Sequence, residues 1–123
     1  MHNFDRRNRD RLNVKGAEVI YTLNSGQFAI KPLLDFTRCT ARFEVDHSIQ
    51  LKEFIKLEII FPGKEKILVK GTVIRISDPV TEYPTYIVVE FLPFGTDARY
   101  NSMESYQQLS EVIEENLIKV STI

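Results

Sequence analysis

With one cysteine, Cys39, in 123 residues, the chain can form no internal disulfide and no metal centre built from thiolates. A lone thiol also suits a reducing, cytoplasmic setting. Only two histidines accompany it, His2 and His47, so neither a Cys/His nor a Ser/His/Asp arrangement is supported. No carboxylate pair falls at a spacing that suggests a shared pocket. The sequence reads as non-enzymatic, with no cofactor. No stretch approaches the ~18 apolar residues of a membrane span, so membrane insertion is not expected. The basic N-terminus is followed by no apolar run and does not read as a secretory signal. Positive charge is not in excess: 16 Lys and Arg against 17 Asp and Glu leave a net charge of −1. A general nucleic-acid binder carries a surplus of positive charge over the whole domain, so a nucleic-acid polymer is not the expected partner. Repeats and low-complexity tracts are missing too.

What charge there is lies unevenly. Arg6, Arg7, Arg9 and Arg11 crowd the start, whereas Glu104, Glu111, Glu114 and Glu115 gather near the end. Arginine is almost never fully buried unless paired, and its fork grips phosphate or a guanine edge bidentately. The asymmetry points to a small anionic ligand near the N-terminus. Residues 1–13 read as a flexible basic arm, with Asp5 and Asp10 interspersed. The opposing reading is a solvated, partly self-neutralised tail.

From Gly16 onward the hydrophobic period is two. Ala17 to Leu23 ends at the turn signal Asn24-Ser25-Gly26, and Gln27 to Leu34 returns as a second strand, with Pro32 marking an edge or bulge. Thr40 to Asp46 alternates, Ala41, Phe43 and Val45 on one side and Arg42 and Glu44 on the other. Further strands run from Lys56 to Phe61, Ile67 to Ser77 and Tyr86 to Leu92. Six short strands with regular turn punctuation predict a mostly β chain, a six-stranded antiparallel barrel over residues 14–95. The period then changes. Met103, Tyr106, Leu109, Ile113, Leu117 and Val120 predict one face of an amphipathic helix from about Asn101 to Lys119, within a C-terminal segment 96–123. That helix packs on the barrel or meets a partner, a second copy in a homodimer included.

Arg7-Asn8-Arg9-Asp10-Arg11 has the form R-x-x-x-R, and Asp35-Phe36-Thr37-Arg38-Cys39-Thr40 follows the first two strands. In that order, these resemble the R-x-x-x-R and [D/N]-x-S-x-x-G signatures of the PilZ domain, a bacterial receptor for cyclic di-GMP. Gly71-Thr72-Val73-Ile74-Arg75 and Val88-Val89-Glu90-Phe91 are similar to later strands of that family, so the likeness spans about Arg6 to Phe94. It implies a split barrel, second-messenger signalling, and output through a downstream protein. It also implies that Arg7 and Arg11 grip phosphates and guanines, with Arg6 and Arg9 adding phosphate charge. Asp35 would accept from guanine N1–H and N2–H₂, and Thr37 would offer its hydroxyl. Where the signature has glycine this chain has Thr40, whose Cβ would fill space beside the ligand if the turn keeps the family's geometry. Weaker affinity than glycine would give is then expected. In the alternative, Thr40 starts its strand in ordinary β conformation, and Asp35 and Thr37 are plain turn residues.

A second functional reading is a degenerate PilZ-like protein that no longer binds the nucleotide and acts through protein contacts, for example in type IV pilus or motility regulation. A third is a small barrel that stacks single-stranded bases on Phe28, Phe43 and Tyr86.

Overall fold

The computed structural model describes residues 11–78 and 84–121, with side chains of the helix to Leu117. Six strands precede one helix: β1 (Glu18–Leu23), β2 (Phe28–Phe36), β3 (Thr40–Glu44), β4 (Phe54–Ile60), β5 (Ile67–Ile76), β6 (Tyr86–Phe91) and α1 (Met103–Ser121). Alternation drives the strands. Val19, Tyr21 and Leu23 of β1, Ala41 and Phe43 of β3, and Ile55, Leu57 and Ile59 of β4 point into a common core, while their neighbours face out. Strand β4 starts two residues earlier than the sequence suggests, because Phe54 pairs with Thr72.

All six pairings between strands are antiparallel, and the strands close in the order β1-β2-β3-β6-β5-β4. Two local meanders, β1–β2–β3 and β4–β5–β6, therefore join along two seams. In one, β1 lies against β4 from Glu18 opposite Ile60 to Leu23 opposite Ile55. In the other, β3 lies against β6 from Thr40 opposite Glu90 to Glu44 opposite Tyr86. Closure leaves no open edge for another chain to pair with. At one point the strands come unusually close. A Cβ on Gly71 would collide with the Glu90 carbonyl oxygen, so only glycine fits there.

The β2–β3 register shifts between Leu33 and Asp35. Leu33 pairs with Phe43, but it is Asp35, not Leu34, that pairs with Arg42. Leu34 is the extra residue of a bulge, and the bulge re-aims the side chains beyond it. Without it Asp35 would point inward with Ala41; with it Asp35 faces out and Phe36 enters the core, where it packs on Phe61 at 5.0 Å between ring centroids.

Phe43 stacks on Tyr21 at 5.6 Å and is fully buried, which removes it as a base-stacking platform. The Tyr21 hydroxyl at the core's rim accepts from Asp46 N (3.1 Å) and meets His47 Nδ1 (2.7 Å). His47 also sets its ring edge-on to Tyr21, at 5.6 Å between centroids. Burial pushes the Tyr21 phenol above its ordinary pKa.

Helix α1 turns Ser105, Leu109, Val112 and Ile113 to the barrel. Met103, Tyr106 and Leu117, expected on that face, are exposed. The rotation is set at the helix start. Ser105 Oγ donates to Leu68 O (2.6 Å), which brings the Ser105 side inward, and Tyr106 rests against Phe94 (5.4 Å) instead. Ser102 Oγ accepts from Ser105 N (3.1 Å) as an N-cap. Just before it, buried Asn101 accepts from Lys70 N (2.8 Å) and donates to Lys70 O (3.0 Å) and Leu92 O (2.9 Å). No described helix is long and apolar enough to cross a membrane.

Candidate functional site

Arg6, Arg7 and Arg9 lie outside the described residues. Arg11 is described and exposed, and the next two residues fix where it sits. Leu12 N donates to Phe36 O (2.9 Å) and Phe36 N to Leu12 O (3.0 Å), an isolated antiparallel bridge. Asn13 Nδ2 adds a bond to Leu34 O (2.6 Å). Leu12 also packs against the core, so the root of the arm belongs physically to the barrel. Continuing the antiparallel register puts Arg11 level with Thr37, at the β2–β3 turn.

Thr37 makes that turn. Its Oγ1 accepts from Cys39 N and Thr40 N, both at 3.0 Å, and its backbone N donates to Thr40 O (2.9 Å). A hydroxyl has two acceptor lone pairs and one proton. With both lone pairs engaged, the 2.9 Å contact between the Thr37 and Thr40 hydroxyls must use the Thr37 proton. The Thr40 proton is left over, on a half-buried residue at the start of β3. Thr40 does not adopt positive φ; among described non-glycine residues only Lys52 does. Phe91 N, donating to Cys39 O (2.7 Å), ties the turn to β6.

Asp35 stands on the outer face with Arg42 directly across from it. Arg42 Nη2 (2.6 Å) and Nε (2.9 Å) both donate to Asp35 Oδ2. The two side chains keep 14% and 29% of their exposure, so this pair is far better shielded than a surface salt bridge. The Asp35 hydrogen bonds hold the Arg42 guanidinium above its ordinary pKa, against the opposing effect of partial burial. The guanidinium lies 4.9 Å from the Tyr86 ring centre, and Arg75 approaches the same ring at 5.9 Å, with Nη2 donating to the Tyr86 hydroxyl at 3.2 Å. Asp35, Arg42, Tyr86 and Arg75 thus form one stripe over β2, β3, β6 and β5. Arg38 is exposed at the tip of the turn.

The structure therefore gathers Arg11, Asp35, Thr37 and Thr40 at one corner of the barrel. Two cations there, Arg38 and Arg42, do not stand out as site residues from the sequence. The signal for Arg42 is present, since it faces outward in the alternation of Thr40 to Asp46, but its partner depends on the bulge. One group opposes an anion: exposed Glu90 lies across from Thr40. A groove of about 660 Å³ lies elsewhere, between the outer face of β4 and β5 and the start of α1. It holds none of the predicted site residues, and the Lys66–Glu58 pair (2.9 Å) neutralises part of its wall. The corner is the better candidate, because the cations Arg11, Arg38 and Arg42 and the Asp35 carboxylate converge there.

No protein-family model matches the chain, and no curated protein matches it. Solved structures do. The Bacillus subtilis inhibitor of motility MotI/DgrA superposes with a TM-score of 0.68 at 16% identity, over 89% of this chain and 50% of that one. MrkH of K. pneumonia, in its c-di-GMP complex, gives 0.69 at 7% identity, over 91% of this chain and 52% of that one. The PilZ domain of YcgR from Escherichia coli with c-di-GMP gives 0.62 at 14% identity, over 92% of this chain and 95% of that one. The chain spans about half the length of MotI and MrkH and nearly the whole of the isolated YcgR domain. The fold is that of a PilZ-like domain.

Proposed function

We propose that this chain is a receptor for cyclic di-GMP, held where the arm root, the 37–40 turn and the outer face of β3 meet. The observation that carries the reading is the Leu12–Phe36 bridge, which roots the arginine-rich segment beside the turn bearing Asp35. Four residues of chain span at most ~14 Å, so Arg7 stays within reach of the ligand that Arg11 contacts. Arg7 and Arg11 grip phosphate and guanine, Arg6 and Arg9 add charge, and Asp35 takes a guanine N–H. Thr37 shapes the turn, and Thr40 offers the hydroxyl proton that Thr37 does not need. The arm orders on the ligand, which costs part of the binding energy, and the new surface acts on a downstream protein. Two of the fold neighbours named above were solved with c-di-GMP bound, which supports this choice of ligand. The domain performs no chemistry on the nucleotide and works in the cytoplasm.

Isothermal titration with cyclic di-GMP at low salt tests the reading. Micromolar or tighter binding that is lost when Arg7 and Arg11 are both changed to alanine is the expected result; no heat well above micromolar concentration overturns it.

A second reading has its own support. The Thr37 hydroxyl is spent on its turn and Asp35 is already paired with Arg42, which suits a PilZ-like adaptor that has given up the nucleotide and works through protein contacts. The same titration separates the two.

A further inference from the structure

The Asp35–Arg42 pair changes what Asp35 can read. A carboxylate facing guanine alone would take N1–H and N2–H₂ with its two oxygens. Here Oδ2 accepts two hydrogen bonds from Arg42, at 2.6 and 2.9 Å, and its lone pairs are filled. Oδ1 accepts from no described residue, so one acceptor remains, next to a guanidinium whose position is fixed twice, by Asp35 and by the Tyr86 ring. Arginine carries five N–H donors, and Asp35 uses two. The outward edge of the pair is therefore an acceptor beside donors.

That order matches one base edge. Guanine presents N1–H, a donor, next to O6, an acceptor; adenine presents the reverse, N1 as acceptor and N6–H₂ as donor. Resting on the cyclic di-GMP reading, we propose that Arg42 is a specificity-determining residue, and that Asp35 Oδ1 and the Arg42 guanidinium together read the N1–H/O6 edge of one guanine. Adenine meets an acceptor with an acceptor and a donor with donors, and a buried edge left unpaired in this way rejects strongly. The 2-amino group, on the far side of N1–H from O6, is not part of this edge.

The ligand-side test needs no variant. The wild-type chain is titrated with cyclic di-GMP, with its inosine analogue, which keeps O6 and N1–H but lacks the 2-amino group, and with cyclic di-AMP. The inosine analogue binds within about fivefold of cyclic di-GMP, and cyclic di-AMP is weaker by about 100-fold or more. In Arg42→Met both Asp35 oxygens are freed to take N1–H and N2–H₂, so the ratio of cyclic di-GMP to inosine-analogue affinity rises by about tenfold or more. The ratio is the readout because both nucleotides carry the same phosphates, so a general loss of positive charge moves them together. A loss of about 100-fold with the inosine analogue would mean that Asp35 reads N1–H and N2–H₂ by itself, and overturns the proposal while leaving the receptor reading in place. An unchanged ratio in a folded Arg42→Met variant also overturns it. If that variant does not fold, the three wild-type affinities decide alone. Absence of any cyclic di-GMP binding removes both readings.

Discussion

At the root of α1, Asn101 spends its side chain on three bonds to β5 and the end of β6, and Leu109, Val112 and Ile113 seal against the core. At the corner formed by the arm root and the 35–40 turn, the fixed groups are charged or hydroxylic and range from buried Thr37 to exposed Arg11. Both regions are rich in hydrogen bonds, yet they differ in what stays available. The helix root is closed: the Asn101 amide and the Ser105 hydroxyl both donate to acceptors inside the protein. The corner is open, because filling Thr37 and Asp35 Oδ2 leaves the Thr40 proton and Asp35 Oδ1 without a partner among the described residues. On the proposed reading, stability resides in the first region and recognition in the second.

The sharpest way to break this division is at the helix. Leu109→Ala lowers unfolding free energy in urea by about 2–5 kcal/mol, the usual cost of a core leucine cavity, and leaves cyclic di-GMP affinity unchanged. A parallel fall in affinity would show that the helix shapes the site. Asn101→Ala comes next in size. It strands Lys70 N and Leu92 O, while Lys70 O keeps its bond from Leu92 N, and costs at least about 2 kcal/mol, one or more per buried polar group left unpaired, read by the same urea unfolding. Arg7→Ala and Arg11→Ala do the opposite. Each weakens nucleotide binding by about 1.5–3 kcal/mol, the worth of a hydrogen bond to a charged group, with the melting temperature unmoved. A melting loss in Arg11→Ala would place that arginine in the structural half.

Thr40→Gly is the finer probe. It lowers stability by about 0.5–1 kcal/mol through backbone freedom, since Thr40 is ordinary strand. It also removes the outward hydroxyl proton, so affinity falls slightly. Tighter binding by calorimetry would mean that Thr40 obstructs the ligand, as crowding by its Cβ would require. The smallest effect belongs to deletion of residues 1–10, which leaves the thermal midpoint without ligand where it was. A deletion that also takes Leu12 destabilises, because Leu12 pairs with Phe36 and packs on the core.

Local periodicity makes the strands readable: Ala41 and Phe43 against Arg42 and Glu44 needs no knowledge of the rest of the chain. The helix is readable as a helix, but not its buried face. Met103, Tyr106 and Leu117 are apolar by residue type, and only the Ser105–Leu68 bond, between residues far apart in the chain, says which side turns inward. The turn can be located from Asp35-Phe36-Thr37, whereas its chemistry cannot. Whether Asp35 points out depends on one bulged residue, for which Pro32 and the consecutive Leu33 and Leu34 are the hints. Arg42 becomes a site residue only after that register is set. Asn101 gives no signal at all, because its value lies in a carbonyl and an amide 31 positions away.

The two seams have a consequence for how the molecule opens. Each three-stranded meander closes through short loops, whereas the β1–β4 and β3–β6 pairings join distant parts of the chain and carry most of the loop-closure entropy. Sub-global opening begins where non-local pairing is released, with the meanders still formed. The stripe of Arg42 and Tyr86 lies across the β3–β6 seam. A nucleotide held against Arg42 therefore rests on the line along which the barrel comes apart. Its occupancy will register as slowed amide exchange at Ala41, Phe43, Ile87 and Val89, deep inside the wall and out of contact with the ligand.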